Sequence, residues 1–351
     1  MRKFTLITLF VLIGIFSTKG QMQIIPLMVD SAISVSDIDI ISQDTIIFSS
    51  RSKIYRTTNG GMSWDSSETN LPNVQKLDFI DFDHGVVVHP IGMKRTYNGG
   101  LTWDSIGFVP AYSYGDCHMI DTTHFIVTTD SGYIRHIYSN YYINDTLVDP
   151  LAIGYPVVIF NFDFLDANEG FGGGVVNGFS AVIHTVDNGL TWDVRANSGF
   201  LYLYMHEISF FNPLIGAAIE FGPGSFEKIV VTDDGGYTWQ KSAYFDLTKV
   251  TSIDFNENGK GLAITGWGIF GTGDYGQSWD TIYIYQPGGP IGLKVKIVND
   301  SVAYLGGWGG IYKITNFATS IKENNIKSNS FSIFPSPSNG KFTISFEKKT
   351  K

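Results

Sequence analysis

A chain of 351 residues, 43% of them hydrophobic, is long and apolar enough to bury a sizeable core, which argues against wholesale disorder. Aromatic residues at 15% together with 39 glycines favour many short strands and tight turns over helices, and the single cysteine, Cys117, leaves no internal disulfide and no thiolate metal cluster. A formal charge of −9 without a Lys/Arg cluster argues against nucleic acid and anionic membrane surfaces as partners.

Residues 1–20 read as a signal peptide. Arg2 and Lys3 supply the positive start, Thr5 to Phe16 form an apolar run too short to span a bilayer, and Ser17-Thr18-Lys19-Gly20 is a small-residue stretch before Gln21. Its removal leaves 21 basic against 33 acidic residues. The expected location is therefore secreted or at the outer cell surface. No later segment has the ~18 uninterrupted apolar residues of a membrane span. Gln23–Val29 follows, a strand with no repeat unit of its own.

From there to residue 317 the chain is repetitive. One pattern recurs five times: Thr or Ser, any residue, Asp or Asn, any residue, Gly, any residue, Thr or Ser, Trp. The copies are Thr57–Trp64 with Asn59 and Gly61, Thr96–Trp103 with Asn98 and Gly100, Thr185–Trp192 with Asp187 and Gly189, Thr232–Trp239 with Asp234 and Gly236, and Thr272–Trp279 with Asp274 and Gly276. Upstream of each, two apolar residues alternate. Their first positions are Ile38, Leu77, Cys117, Phe162, Ile208, Ile253 and Val295, 39 to 46 residues apart, so there are seven units, two of which lack the Trp pattern. Each unit reads as four strands: in the sixth, Thr251–Asn256, Gly261–Thr265, Ile269–Thr272 and Trp279–Ile284. Four strands per ~40–45 residues is the period of a propeller blade, and a lone sheet with two apolar faces must stack on neighbours to bury them.

The residue types in the pattern have a mechanical reading. The Asp or Asn oxygen can accept N–H groups of its own turn, the Gly two positions on can take positive φ, and the Trp can place a large ring between blades. Two of the five copies carry neutral Asn, so a calcium reading is disfavoured. The seventh unit ends at Ile311–Asn316 without a Trp strand, and Gln23–Val29 is expected to pair with Ile311–Thr315 and close the ring. The expected fold is all-β: a seven-bladed propeller of four-stranded antiparallel blades over residues 21–317, closed by that strand.

Residues 318–330 are polar and read as a linker. Residues 331–351 open with Phe331-Ser332-Ile333-Phe334-Pro335-Ser336-Pro337-Ser338-Asn339-Gly340.

The five Thr-x-Asp/Asn patterns resemble the Asp-box (BNR) repeat of sialidase-type propellers. The longer unit is more similar to the photosystem II stability/assembly factor-like propellers. The segment from Phe331 resembles the start of a type A sorting domain of the type IX (Por) secretion system, with Phe334 and Ser336 where that family has Tyr and Asn. These resemblances imply a β-propeller exported to the cell surface, with the secretion machinery as a partner of the C-terminal segment; the repeat itself occurs in proteins of many functions.

A sialidase would need an Arg triad, a Tyr–Glu pair and an acid, and the mature chain has only Arg51, Arg56, Arg95, Arg135 and Arg195. The histidines, including His118 and His124, lack a carboxylate at ligand spacing. No catalytic residue, metal or cofactor is assigned. A binding or scaffold role is the better reading, with a protein or glycan as partner and the chain a monomer. Its candidate ligand-binding residues lie on the loops between second and third strands: Trp267, Trp308, Phe179, Phe226, Arg51 and Tyr133, with Met93 on an equivalent loop. The glycines around Trp267 and Trp308 point to exposure, whereas rings of this size also pack beneath loops; the sequence leaves both open. The alternative function is a secreted sialidase-like glycoside hydrolase or a lyase, with a carboxylate pair at the channel mouth.

Overall fold

The computed structural model describes residues 22–317 apart from Ile91, 107–113, 130–131, 139–142, 148–156, 177–178, 202–203, 222–226, 245–249 and 286–290, together with strand segments 331–334 and 343–346. The segments expected to be a signal peptide and a linker, and Phe226, therefore lie outside the described residues, as does most of the segment after 330.

The chain folds into six consecutive antiparallel sheets. The first holds β1 (Gln23–Ile40), β2 (Ile46–Ser50), β3 (Lys53–Thr57) and β4 (Asp65–Glu68). The next two are β5 (Lys76–Phe79), β6 (Gly85–His89), β7 (Gly92–Thr96), β8 (Asp104–Ser105), and β9 (Tyr114–Met119), β10 (His124–Thr129), β11 (Tyr133–Tyr138), β12 (Ile143–Leu147). Then come β13 (Val157–Phe164), β14 (Gly170–Val176), β15 (Phe179–Thr185), β16 (Asp193–Leu201), and β17 (Tyr204–Phe210), β18 (Gly216–Phe221), β19 (Glu227–Thr232), β20 (Gln240–Tyr244). The last four-stranded sheet is β21 (Val250–Phe255), β22 (Gly261–Thr265), β23 (Gly268–Thr272) and β24 (Asp280–Ile284). Finally β25 (Ile291–Ile297) and β26 (Val302–Thr315) join the first sheet, giving the order β25-β26-β1-β2-β3-β4. Outside the ring, β27 (Phe331–Phe334) pairs with β28 (Thr343–Phe346).

The expectation of seven four-stranded blades is thereby corrected: the propeller has six blades, five of four strands and one of six. The seventh repeat unit builds no sheet of its own. Its hairpin tip stays within the ladder, since Trp308 pairs with Ile291 on one side and Ser34 on the other. β1 and β26 each continue through the junction, with a register shift between Val29 and Ser34, and join the last unit to the first. Within this sheet Gln23–Val29 pairs with Gly310–Thr315, so the two ends of the ring are hydrogen-bonded to each other. Pro26, which has no N–H to donate, sits in the half of β1 that pairs with β26 alone.

The inner strands β1, β5, β9, β13, β17, β21 and β25 contact one another in turn and wall a central channel. Most carry a register shift at the same place, as between Val35 and Asp37, Ile159 and Asn161, Met205 and Glu207, or Val250 and Ser252. The extra residue brings apolar side chains three apart to one face: Val35 and Ile38 share one core cluster, and Ile159 and Phe162 another. The polar residues between and after them are left to the channel.

Four Trp side chains of the recurring pattern, Trp103, Trp192, Trp239 and Trp279, fill seams between sheets, while Trp64 packs within the six-stranded sheet. Trp103 packs among Ile47 and Ile54 of one sheet and Leu77 and Phe79 of the next, and its indole N–H donates to Ser67 Oγ of the preceding sheet at 3.2 Å. Trp239 lies against Phe210 edge-to-face at 6.0 Å. Arginines cross the same seams: Arg56 Nη1 of β3 donates to the Gly99 carbonyl at 2.7 Å, and Arg195 Nη1 of β16 to that of Gly235 at 2.7 Å.

The turns satisfy themselves. Thr232 Oγ1 donates to Asp234 Oδ1 at 2.8 Å, and the Gly236 N–H donates to Thr232 Oγ1 at 2.9 Å. Asp234 also accepts the Thr238 N–H at 2.9 Å and its hydroxyl at 2.6 Å; these bonds outweigh slight desolvation and hold its carboxyl below the usual range. Asn59 reproduces the arrangement with its amide Nδ2 donating to Ser63 Oγ at 2.8 Å. Gly236 takes φ 87°, a conformation a side chain would strain. Asp234→Ala is thus expected to cost about 1–2 kcal/mol, whereas Asp234→Asn should stay within about 0.5 kcal/mol. Urea unfolding midpoints of the two variants check this.

Candidate functional site

Two regions of the ring carry the polar and aromatic side chains that could act on another molecule. One is the channel. Its cavity, of about 200 Å³, is lined by alternate residues of the inner strands. Those just before the first apolar positions form one level: Asp37, Lys76, Asp116, Asn161, Glu207, Ser252 and Lys294. Those just after form a second: Asp39, Asp78, His118, Asp163, Ser209, Asp254 and Lys296.

These side chains brace the ring. On the first level, Asp37 accepts the Leu77 N–H at 3.1 Å, Asp116 that of Phe162 at 2.8 Å and Asn161 that of Ile208 at 2.9 Å, each from the following inner strand. The second level repeats the device, with Asp39 accepting from Phe79 at 2.7 Å, Asp78 from Met119, Asp163 from Phe210 and Asp254 from Ile297. Lys76 pairs with Asp116 at 3.3 Å and Lys294 with Glu207 at 3.0 Å. Despite desolvation, Lys294 and the Ser252 hydroxyl hold the Glu207 carboxyl below its ordinary value. The hydrolase reading asks for a carboxylate pair poised at the mouth; the channel carboxylates are instead engaged in strand-to-strand hydrogen bonds. Among the described residues, no group of three or more His, Cys, Asp and Glu is placed to hold a metal ion. His124 and His136 bond each other at 2.9 Å in the interior, and burial, reinforced by His136, pushes His124 down to about 4. His118 lies 3.2 Å from Asp78 and stacks on Phe164 at 4.0 Å.

The second region is the face made by the hairpin tips between second and third strands. Trp267 and Trp308 occupy equivalent tips of neighbouring units and are 63% and 64% exposed, which settles their exposure. A Cβ added at Gly266 or Gly309 would meet nothing within 4 Å, so the tips stand clear of their surroundings. Beside them are two further exposed apolar residues: Ile284 is paired in register with Gly268, and Val29 with Gly310. Arg51 is exposed at its tip with φ 55°, while Tyr133 and Phe179 are half-buried. Met93, read from sequence as a loop residue, is buried among Val86, Cys117 and Met119.

Of the five described candidates, Trp267, with Ile284, and Trp308, with Val29, sit on tips of neighbouring units, whereas Arg51, Tyr133 and Phe179 sit on the tips of other units. The channel residues escaped the sequence reading. Their signal was present as the polar partners of each alternating apolar pair, Asp37 and Asp39 around Ile38 for example.

No family model matches the chain, and no curated protein does. Solved structures similar to it include YCF48 bound to a D1 peptide, 17% identical with a TM-score of 0.64 over 85% of this chain and 96% of that one. YCF48 from Cyanidioschyzon merolae is 15% identical with a TM-score of 0.61, over 84% of this chain and 98% of that one. An ancestral GH74 enzyme is 14% identical with a TM-score of 0.61, over 83% of this chain but 46% of its own length. The chain is thus an all-β propeller similar in fold to YCF48, and likeness at such identities carries the fold alone.

Proposed function

We propose that this chain is an exported, non-catalytic binding propeller that recognises a protein segment through the hairpin-tip face around Trp267 and Trp308. The observation that carries this reading is the exposure of both indoles, 63% and 64%, on tips where a Cβ added at Gly266 or Gly309 would meet no described atom within 4 Å. Trp is costly to leave in water and is enriched among residues that anchor protein interfaces. Ile284 and Val29 extend the apolar surface beside them. A peptide-bound YCF48 among the similar folds supports a peptide as the occupant. Export rests on Arg2, Lys3 and the apolar run to Phe16, and on the sorting-type segment from Phe331; finding the chain wholly in the cytoplasmic fraction would remove that part.

Parallel peptide and glycan arrays probed with the full chain test the reading. Binding to a set of peptides is expected, with Trp267→Ala and Trp308→Ala each weakening it at least about tenfold. Binding confined to glycans, or two variants that bind like the parent, overturns it.

A further inference from the structure

We infer that the second level of the channel is a pH-responsive lock: its like charges strain the ring at high pH, and the ring is held more firmly as proton uptake relieves their repulsion. The inference is independent of what the hairpin-tip face binds.

The two levels of the channel differ in their balance of charge. On the first level Asp37, Asp116 and Glu207 face two ammonium groups, Lys76 and Lys294, at ion-pair distance from Asp116 and Glu207. On the second level four carboxylates, Asp39, Asp78, Asp163 and Asp254, face one ammonium, Lys296, whose nearest carboxylate oxygen is on Asp254 at 3.9 Å, and one imidazole, His118. Fully ionised, the second level is short of positive charge. Nor can it relax by swinging a carboxylate away, because each one holds the N–H of the next inner strand. Crowded carboxylates that cannot separate relieve their repulsion by protonation.

The remaining groups around the cavity do not alter this. His206 stands beside Glu207, on the first level. Burial holds the Cys117 thiol well above its ordinary value, so it stays protonated. Burial first, and the neighbouring Asp78 second, push Asp39 up to about 7. Burial pushes Asp254 up to about 6 against the pull of Lys296, and it raises Asp37 and Asp163 as well.

A carboxyl raised above its unfolded value binds its proton more tightly in the folded chain. The destabilisation it causes is complete above the folded value and is relieved as pH falls toward the unfolded value of about 4. For Asp39 and Asp254 the window runs from about 7 downward. His124 acts in the opposite sense: its folded value is depressed to about 4, so the unfolded imidazole gains a proton first and stability falls as pH drops through about 6.5. A variant compared with its parent cancels that contribution.

The experiment follows thermal unfolding of the full chain and of the double variant Asp39→Asn/Asp254→Asn at pH 8 and pH 5.5, with amide hydrogen exchange at Phe79 and Ile297. The amides keep an acceptor oxygen but carry no charge. The variant is expected to melt roughly 3–6 °C above the parent at pH 8, with the gap closing at pH 5.5. Exchange at Phe79 and Ile297, corrected for intrinsic rate, should be several-fold slower in the variant than in the parent at pH 8, with the difference lost at pH 5.5. A variant that melts at or below the parent at pH 8, or a gap that does not change with pH, overturns the lock. Should the double variant fail to fold, the single variant Asp254→Asn is compared with the parent in the same way, and a melting gap that is absent at pH 8 or unchanged at pH 5.5 overturns the lock.

Discussion

Deletion of residues 21–30 is expected to lower the melting temperature by about 10–20 °C and to broaden the transition. The segment is the half of β1 that pairs with β26 alone, from Gln23↔Thr315 to Val29↔Gly310. Its inward side chains complete two core clusters: Ile24 packs with Leu305, Tyr312 and Ile314, and Leu27 and Met28 pack with Ile46, Phe48 and Ile311. Three partly buried apolar side chains at about 1.5–3 kcal/mol each bring the loss to roughly 5 kcal/mol, a large share of the 5–15 kcal/mol typical of a domain. The deletion would also bare the edge of β26, an apolar strand with unpaired N–H and C=O groups, so association of the variant should accompany its instability. Gly310 gives a milder probe of the same contact. It sits at φ 143°, and a Cβ there would strike the Met28 carbonyl, so Gly310→Val should destabilise in the same direction. Calorimetry and size-exclusion chromatography check both; a deletion variant that melts like the parent would show that the ring does not depend on this pairing.

The closing strand was legible because it was a fourth strand lacking a unit, facing a unit lacking a fourth strand. The recurring turns were legible for a similar reason: their chemistry is local, and Gly61, Gly100, Gly189, Gly236 and Gly276 all take the positive φ expected of them. The number of blades was not legible. It turns on whether the tip Gly307–Gly310 breaks the ladder, and the Ser34↔Trp308 pair that keeps it intact joins residues almost a whole chain apart. The channel was hidden by the bulges. An extra residue at Ser36 or Phe160 breaks the period-2 pattern, so Val35 and Ile159 do not read as partners of Ile38 and Phe162, and the polar residues beside them do not read as one wall. Exposure of Trp267 and Trp308 could only be suspected from flanking glycines, since whether a loop covers a ring depends on neighbouring units.

The other large effect is expected at Asp116, where the channel concentrates most bonds on one side chain. Its carboxylate accepts the Phe162 N–H at 2.8 Å, the Asn161 Nδ2 at 3.0 Å and its neighbour Cys117's N–H at 2.9 Å, and it pairs with Lys76 at 3.3 Å. Asp116→Ala strands all of these at once. It leaves Lys76 with only the more distant Asp37 and Glu207 to oppose burial, so the ammonium loses the chief influence holding its pKa up. Removing one partner of a buried pair typically costs about 3–5 kcal/mol, more than the pair itself is worth. Asp116→Asn keeps an acceptor for Phe162 and gives up the charge, so roughly 1–2 kcal/mol is expected. Asp30, exposed and bonded only to the Ala32 N–H at 2.8 Å, is the control, and Asp30→Ala should stay within about 0.5 kcal/mol. The ranking of denaturant midpoints, lowest for Asp116→Ala, then Asp116→Asn, then Asp30→Ala, separates two views of the channel. If its carboxylates brace the strands, that ranking holds and peptide binding at the tryptophan tips survives in whatever fraction remains folded. If they form a working site instead, Asp116→Ala should abolish binding while leaving the midpoint nearly unmoved.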